Sequence, residues 1–193
     1  FSNTVIVDDK VKAKIKELFT LAPQHNPANY EGIVVAETIF PDATQIAVFD
    51  TAFHQTMPVE AYKYAIPNKF LDEHNIRKFG FHGTSHKYVA EKARIHLGED
   101  NSKKMITIHL GGGCSMTAVK NGESVDTSLG FGPNEGLIMG SRSGSVDNSK
   151  SLRAYLSSSD YTQEFITLSG SAIYQTKQDI TQNIIAVPTS NLA

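Results

Sequence analysis

KKMITIHLGGGCSMTAVKNGESVDTS, residues 103–128, decides the architecture. MITIHL reads as a strand, GGG as a tight turn and CSMTAVK as a second strand. Asn121-Gly122 is a two-residue hairpin turn between alternating runs, and ESVDTS closes the meander. Three consecutive glycines are more than a bend requires. Without side chains in the way, their backbone N–H groups can converge on an anion. A strand–loop–helix phosphate cradle would end in Gly-Lys-Ser/Thr, whereas HLGGG, 109–113, lies between two strands and has no lysine. Such placement suits folds that hold phosphates at a β-hairpin bend, and a plain tight turn is the alternative.

Upstream, KFGFHGTSHKYVAEKA, 78–93, sets two histidines, two glycines and two phenylalanines before an amphipathic helix. Thr84 or Ser85 is the expected N-cap, with Val89, Ala93 and Leu97 on one face. His82 and His86 stand four apart, which raises a metal pair. Gly83 and the expected cap separate them, however, and leave His82 off the helix, so zinc is disfavoured. His82 is better read as a donor beside a cleft with Phe81 as an apolar wall. His86 and His54 are expected to hydrogen-bond locally.

Further upstream, TQIAVFD, 44–50, reads as a buried strand ending in Asp50, the strand end at which α/β sheets gather ligand sites. An N-cap or a loop carboxylate is the plainer reading. Before it, Val11, Ile15, Leu18 and Phe19 share one face of an opening helix, and Asn29 could cap a helix running to about Phe40. Pro67 ends a short helix after Met57. Downstream, Arg142 in GLIMGSRSGSVD can reach a cleft, and its planar fork matches phosphate oxygens. A surface salt bridge is the commoner fate of an arginine. Cys114 fits a small buried residue rather than a nucleophile. Leu152, Tyr155 and Leu156 suggest a short helix, and NIIAVPT a last strand.

Composition narrows the class. The chain has 193 residues, 40% hydrophobic and 20% charged, with a formal net charge of −2. That fits a globular protein. No basic run interleaves with aromatics to suggest nucleic acid, and no apolar run is long enough to span a bilayer. One cysteine rules out an internal disulfide and points to a reducing compartment. With no leader pattern visible, the expectation is a cytoplasmic protein. The opening FSNTVIVDD runs straight into helical periodicity, as a fragment of a longer fold would.

Taken in order, LAPQHNPANYEGI, VFDTAFHQTMP, KFGFHGTSHKYV, HLGGG, KNGESVDTSLGFGPNEGL and MGSRSG resemble the acetate kinases over about residues 5–150. The resemblance implies an α/β fold of the ribonuclease H-like, actin/hexokinase type, a mixed sheet flanked by helices, here incomplete. Residues 1–150 would form the substrate- and phosphate-binding core, and 151–193 a remainder ending in a family-like strand. It implies phosphoryl transfer between ATP and acetate, with Mg2+ accompanying ATP/ADP, by a homodimer that uses no nucleic acid or membrane. By motif, Asp50, His82 and Arg142 match catalytic positions. His109, Leu110, Gly111, Gly112 and Gly113 match the nucleotide-phosphate loop, and Phe81 and Pro133 the pocket for the acetate methyl. Because the accepting carboxylate is already ionised, Asp50 is expected to orient an arginine or a magnesium-bound water rather than act as a base.

Departures from the family pattern accompany the match. Gly112 replaces the asparagine of HLGNG, Ser145 the aspartate of RSGD and Asn148 a proline. The family's first phosphate loop and substrate-binding arginine would precede residue 1. Its adenosine lobe is expected between RSG and the last strand, where the sequence has only about forty residues, and Ser190, Asn191 and Leu192 stand where an acidic metal ligand would be. The alternatives are a non-catalytic or truncated relic, a kinase for propionate, or one with another phosphoryl donor.

Overall fold

The structure, a computed structural model, describes residues 1–23, 25–145 and the backbone of 184–188. The meander forms as its turn chemistry dictates. β3 (Lys104–Leu110), β4 (Cys114–Lys120) and β5 (Glu123–Thr127) are antiparallel neighbours. Asn121 and Gly122 both take positive φ, 53° and 84°, the conformation a type I′ turn demands. β6 (Ile184–Pro188) adds to the other side of β3, giving the order β5-β4-β3-β6. A separate pair joins β1 (Val5–Ile6) to β2 (Ile46–Ala47), also antiparallel. The α/β character is as expected, but every strand pair among the described residues is antiparallel, so the mixed pairing is not found there.

Five α-helices accompany these strands among the described residues: α1 (Asp9–Glu17), α2 (Asn26–Ile39), α3 (Val59–Tyr62), α4 (Lys69–His74) and α5 (Gly83–Leu97). Asp8 caps α1 by accepting from Val11 N–H at 2.8 Å, and Val11 and Ile15 are buried against α2. Helix α2 starts three residues before the expected cap Asn29. Pro27 falls in its first turn, where the missing N–H has no carbonyl to lose. Residues 44–50 are not the buried strand expected: β2 spans two residues, and Ile46 and Val48 are 59% and 61% exposed. An apolar run alone does not say which neighbour will cover it.

Helix α5 lies across β3 and the 3-10 turn Ala52–Thr56. Ala90, Met105 and Val119 form the core there, with Phe53 and Ala93 packed against it. No helix among the described residues is long and apolar enough to cross a membrane. The expected helix around Leu152–Leu156, the remainder 151–183 and Ser190–Leu192 lie outside the described residues.

Candidate active site

The turn into α5 builds the site. Its N-cap is His82, not Thr84 or Ser85, and it sits in the left-handed region at φ 60°. That conformation is uncommon for a residue with a side chain, and it persists where the surroundings enforce it. Asp50 does so twice. Its carboxylate accepts from His82 N–H at 2.6 Å and its carbonyl from Gly83 N–H at 2.8 Å. Gly83 is required because a Cβ there would lie 2.3 Å from the Asp50 carbonyl oxygen. Among the described residues Asp50 is not paired with an arginine. It holds the backbone that presents His82, and its charge faces the positive end of α5.

The His82 ring stacks on His109, with centroids 4.0 Å apart, and its Nδ1 lies 2.7 Å from Ser115 Oγ. His109 Nδ1 meets Ser85 Oγ at 2.9 Å. Between β3 and β4 the glycine loop closes with Gly111 N–H donating to Gly113 carbonyl at 2.9 Å. The N–H groups of Gly112 and Gly113 take no hydrogen bond among the described residues. A Cβ at residue 113 would stand 3.0 Å from His82 Cε1 and 3.3 Å from Arg142 Nη1. Glycine at 113 thus lets an imidazole and a guanidinium approach the loop closely.

Arg142 is half-buried and shaped by a turn in which Met139 N–H donates to its carbonyl at 2.9 Å. Its Nη1 donates to Pro133 carbonyl at 3.0 Å, and among the described residues no carboxylate pairs with it. Ser145 Oγ, at the position of the family aspartate, accepts from Gly136 N–H at 2.8 Å and ties this turn to the preceding loop. Pro133 and Phe81 flank the cluster in chain and contact. What the structure records for them is main-chain bonding, since the Phe81 carbonyl meets His54 Nε2 at 2.9 Å. The half-buried Cys114 thiol is pushed up by burial, as suits a structural rather than a nucleophilic residue.

His54 and His86 correct a second expectation. Both are fully buried and bonded across the fold rather than locally. His54 reaches Ser124 Oγ at 2.9 Å, and His86 reaches Thr107 Oγ1 at 2.7 Å and Ser115 Oγ at 2.8 Å. Burial, with the neighbouring histidines adding, lowers His86 to about 3. Burial and His109 lower His82 to about 4, and burial lowers His54 and His109 as well. All four rings are neutral at pH 7. Ser115, Thr107 and Ser124 were not legible as site residues. Strand alternation hides them: Ile106, Ile108 and Leu110, with Cys114, Met116 and Ala118, form the apolar face, which leaves Thr107, Ser115 and Thr117 on the polar one, yet these hydroxyls are the buried set.

Among the described residues, no group of three or more His, Cys, Asp or Glu could hold a metal. A guanidinium and a neutral imidazole beside a glycine loop are instead groups that can donate to an oxyanion. A cavity of about 340 Å3 on the other side of Gly83, lined by Val48, Phe49, Phe53 and Lys87 among others, does not include His82, His109 or Arg142. The cavity and the donor cluster are therefore separate features, and only the cluster gathers the residues that the motifs single out.

The profile of the acetokinase family matches residues 1–163. The chain is 64% identical over 149 residues to an acetate kinase of Flavobacterium johnsoniae, covering 77% of this chain and 37% of that one. A solved propionate kinase from Francisella tularensis superposes with a TM-score of 0.73 at 48% identity, over 86% of this chain and 44% of that one. The acetate kinase of Porphyromonas gingivalis gives 0.72 at 49%, over 81% and 39%. The chain spans less than half the length of these relatives. By sequence and by fold, the chain belongs to the acetokinase family.

Proposed function

We propose that this chain supplies the phosphoryl-gripping part of an acetate kinase, transferring a phosphoryl group reversibly between ATP and acetate to give acetyl phosphate and ADP. The observation that carries the reading is the close approach of His82 and Arg142 to Gly113 of the glycine loop. Phosphoryl transfer asks a protein mainly for positioning and for charge stabilisation of the oxygens in flight. Arg142 grips those oxygens with its fork, His82 donates to them, and the Gly112 and Gly113 amides of the His109–Gly113 loop hold the nucleotide side. Asp50 keeps His82 in place. Acetate arrives ionised, so no general base is needed. Phe81 and Pro133 border the methyl pocket.

Bound with the nucleotide, magnesium would neutralise charge on the phosphates. With no carboxylate cluster among the described residues, Asp50 would meet it through its carboxylate or through water. Residues 1–150 are the working core in this reading, and the enzyme is a cytoplasmic homodimer, as its family resemblance and single cysteine support. The test is ATP formation from acetyl phosphate, ADP and magnesium, with Arg142→Ala alongside. Turnover that disappears in the variant supports the reading. A folded chain without turnover leaves a non-catalytic relic in its place. Similarity to a propionate kinase favours a second reading, propionate as acceptor. The ratio of kcat/KM for the two carboxylates decides between them.

A further inference from the structure

The buried polar groups behind His82 form a continuous path. His86, Thr107 and Ser115 are each 0% exposed, so every proton among them must be placed within the protein. We propose that Thr107, His86 and Ser115 are positioning residues that fix His82 as a neutral hydrogen-bond donor through Nε2, by a one-way chain of hydrogen bonds running out of the core. Only the identity of the group that accepts from Nε2–H rests on the phosphoryl-transfer reading.

The direction of the chain follows from distances. The single hydroxyl proton of Thr107 has two acceptors near it, the Thr117 carbonyl at 3.4 Å and His86 Nδ1 at 2.7 Å. Hydroxyl hydrogen bonds normally span about 2.5–3.0 Å, so the proton goes to His86. A neutral imidazole has one N–H, which in His86 is therefore on Nε2. That N–H donates to Ser115 Oγ at 2.8 Å. Ser115 in turn gives its own proton to His82 Nδ1 at 2.7 Å. The His82 proton is then on Nε2, the nitrogen that would stand 3.1 Å from a Cβ at residue 113.

The reverse order would stretch the Thr107 bond to 3.4 Å and turn an imidazole lone pair toward an oxyanion. Burial keeps both rings uncharged near neutrality, so the tautomer alone decides whether His82 donates. His54 shows the same logic beside it. Its Nε2 faces the Phe81 carbonyl, which can only accept, so its Nδ1 accepts from Ser124.

The test begins with the full chain carrying 15N-histidine, ligand-free at neutral pH. The 15N shifts and proton couplings of each ring are read, with a His82→Asn variant assigning His82. Protonated Nε2 and bare Nδ1 in both His82 and His86 are expected, and an Nδ1–H form in either overturns the proposal. In the enzyme, Thr107→Val should lower kcat about 10- to 100-fold, as loss of a supporting partner does, with KM for acetyl phosphate little changed. Thr107→Ser should restore it, and an undiminished kcat in Thr107→Val would count against the proposal. If the unmodified enzyme shows no turnover, the kinase reading fails and the histidine spectrum alone decides the tautomer. The same spectrum decides if Thr107→Val does not fold.

Discussion

The two ends of the α5–sheet interface are built on opposite principles. At one end β3 and β4 pair Met105 with Val119 beneath Ala90 and Ala93. Two residues on, the pair is Thr107 with Thr117, and next His109 with Ser115, beneath His86 and the start of α5. One face of one hairpin thus passes from hydrocarbon to hydroxyl to imidazole as it nears the glycine loop. The apolar end gains from burial at about 25 cal/mol per Å2 whatever the orientation of its side chains. Burial of the polar end is tolerable only with each donor and acceptor matched, and that matching fixes ring orientation. The interface is therefore a support at one end and an aiming device at the other.

Substitutions at the two ends should accordingly separate activity from stability. The largest effect is expected beside the polar end. Arg142→Ala should lower turnover about 10³-fold or more, roughly 4 kcal/mol of barrier, with an unchanged melting temperature. A variant turning over normally would remove Arg142 from the mechanism. At the apolar end, Met105→Ala should cost about 2–5 kcal/mol of unfolding free energy, read from the urea midpoint, while the folded fraction keeps its kcat. A comparable loss of kcat would show the two ends to be coupled.

Acid should undo the polar end first. Its histidines are neutral when folded, with pKa values held below the ordinary one, whereas the unfolded chain takes up protons below about pH 6.5. The unfolded state then binds more protons, so this contribution to stability is fully present above about pH 6.5. It is lost as pH falls toward about 4 and 3, the folded values of His82 and His86. Urea midpoints across that range should decline, and less steeply in His54→Gln. A flat profile would contradict the neutral cluster. Gly112→Asn should have the smallest effect. A Cβ there meets nothing within 4 Å, so stability should stay within about 0.5 kcal/mol. Any change should appear in KM for ADP, since the new amide adds a donor at the loop.

Legibility in the sequence followed the range of the interactions. Asn121-Gly122 and the alternation around it specify the hairpin locally, and the strand limits differ from expectation by about a residue. Motif order brought out Asp50, His82, Arg142 and the glycine loop, which the structure places together. The cap of α5 went unread because it depends on Asp50, 32 positions away, forcing His82 into a left-handed turn. The partners of His54 and His86 are equally remote, 70, 29 and 21 positions along the chain. For 44–50 the apolar run was legible, but its exposure was not, because burial belongs to the neighbours and not to the run.

The left-handed backbone of His82 has an evolutionary consequence. Glycine at this position would relieve a backbone strain of about 1–3 kcal/mol, but it would also leave the buried Ser115 hydroxyl without its His82 acceptor, a cost of similar size. Selection for thermal tolerance alone would therefore weigh backbone strain against a buried hydrogen bond at one and the same residue. Histidine here strains the backbone and offsets that strain through its ring, so its history would be written by the balance of the two.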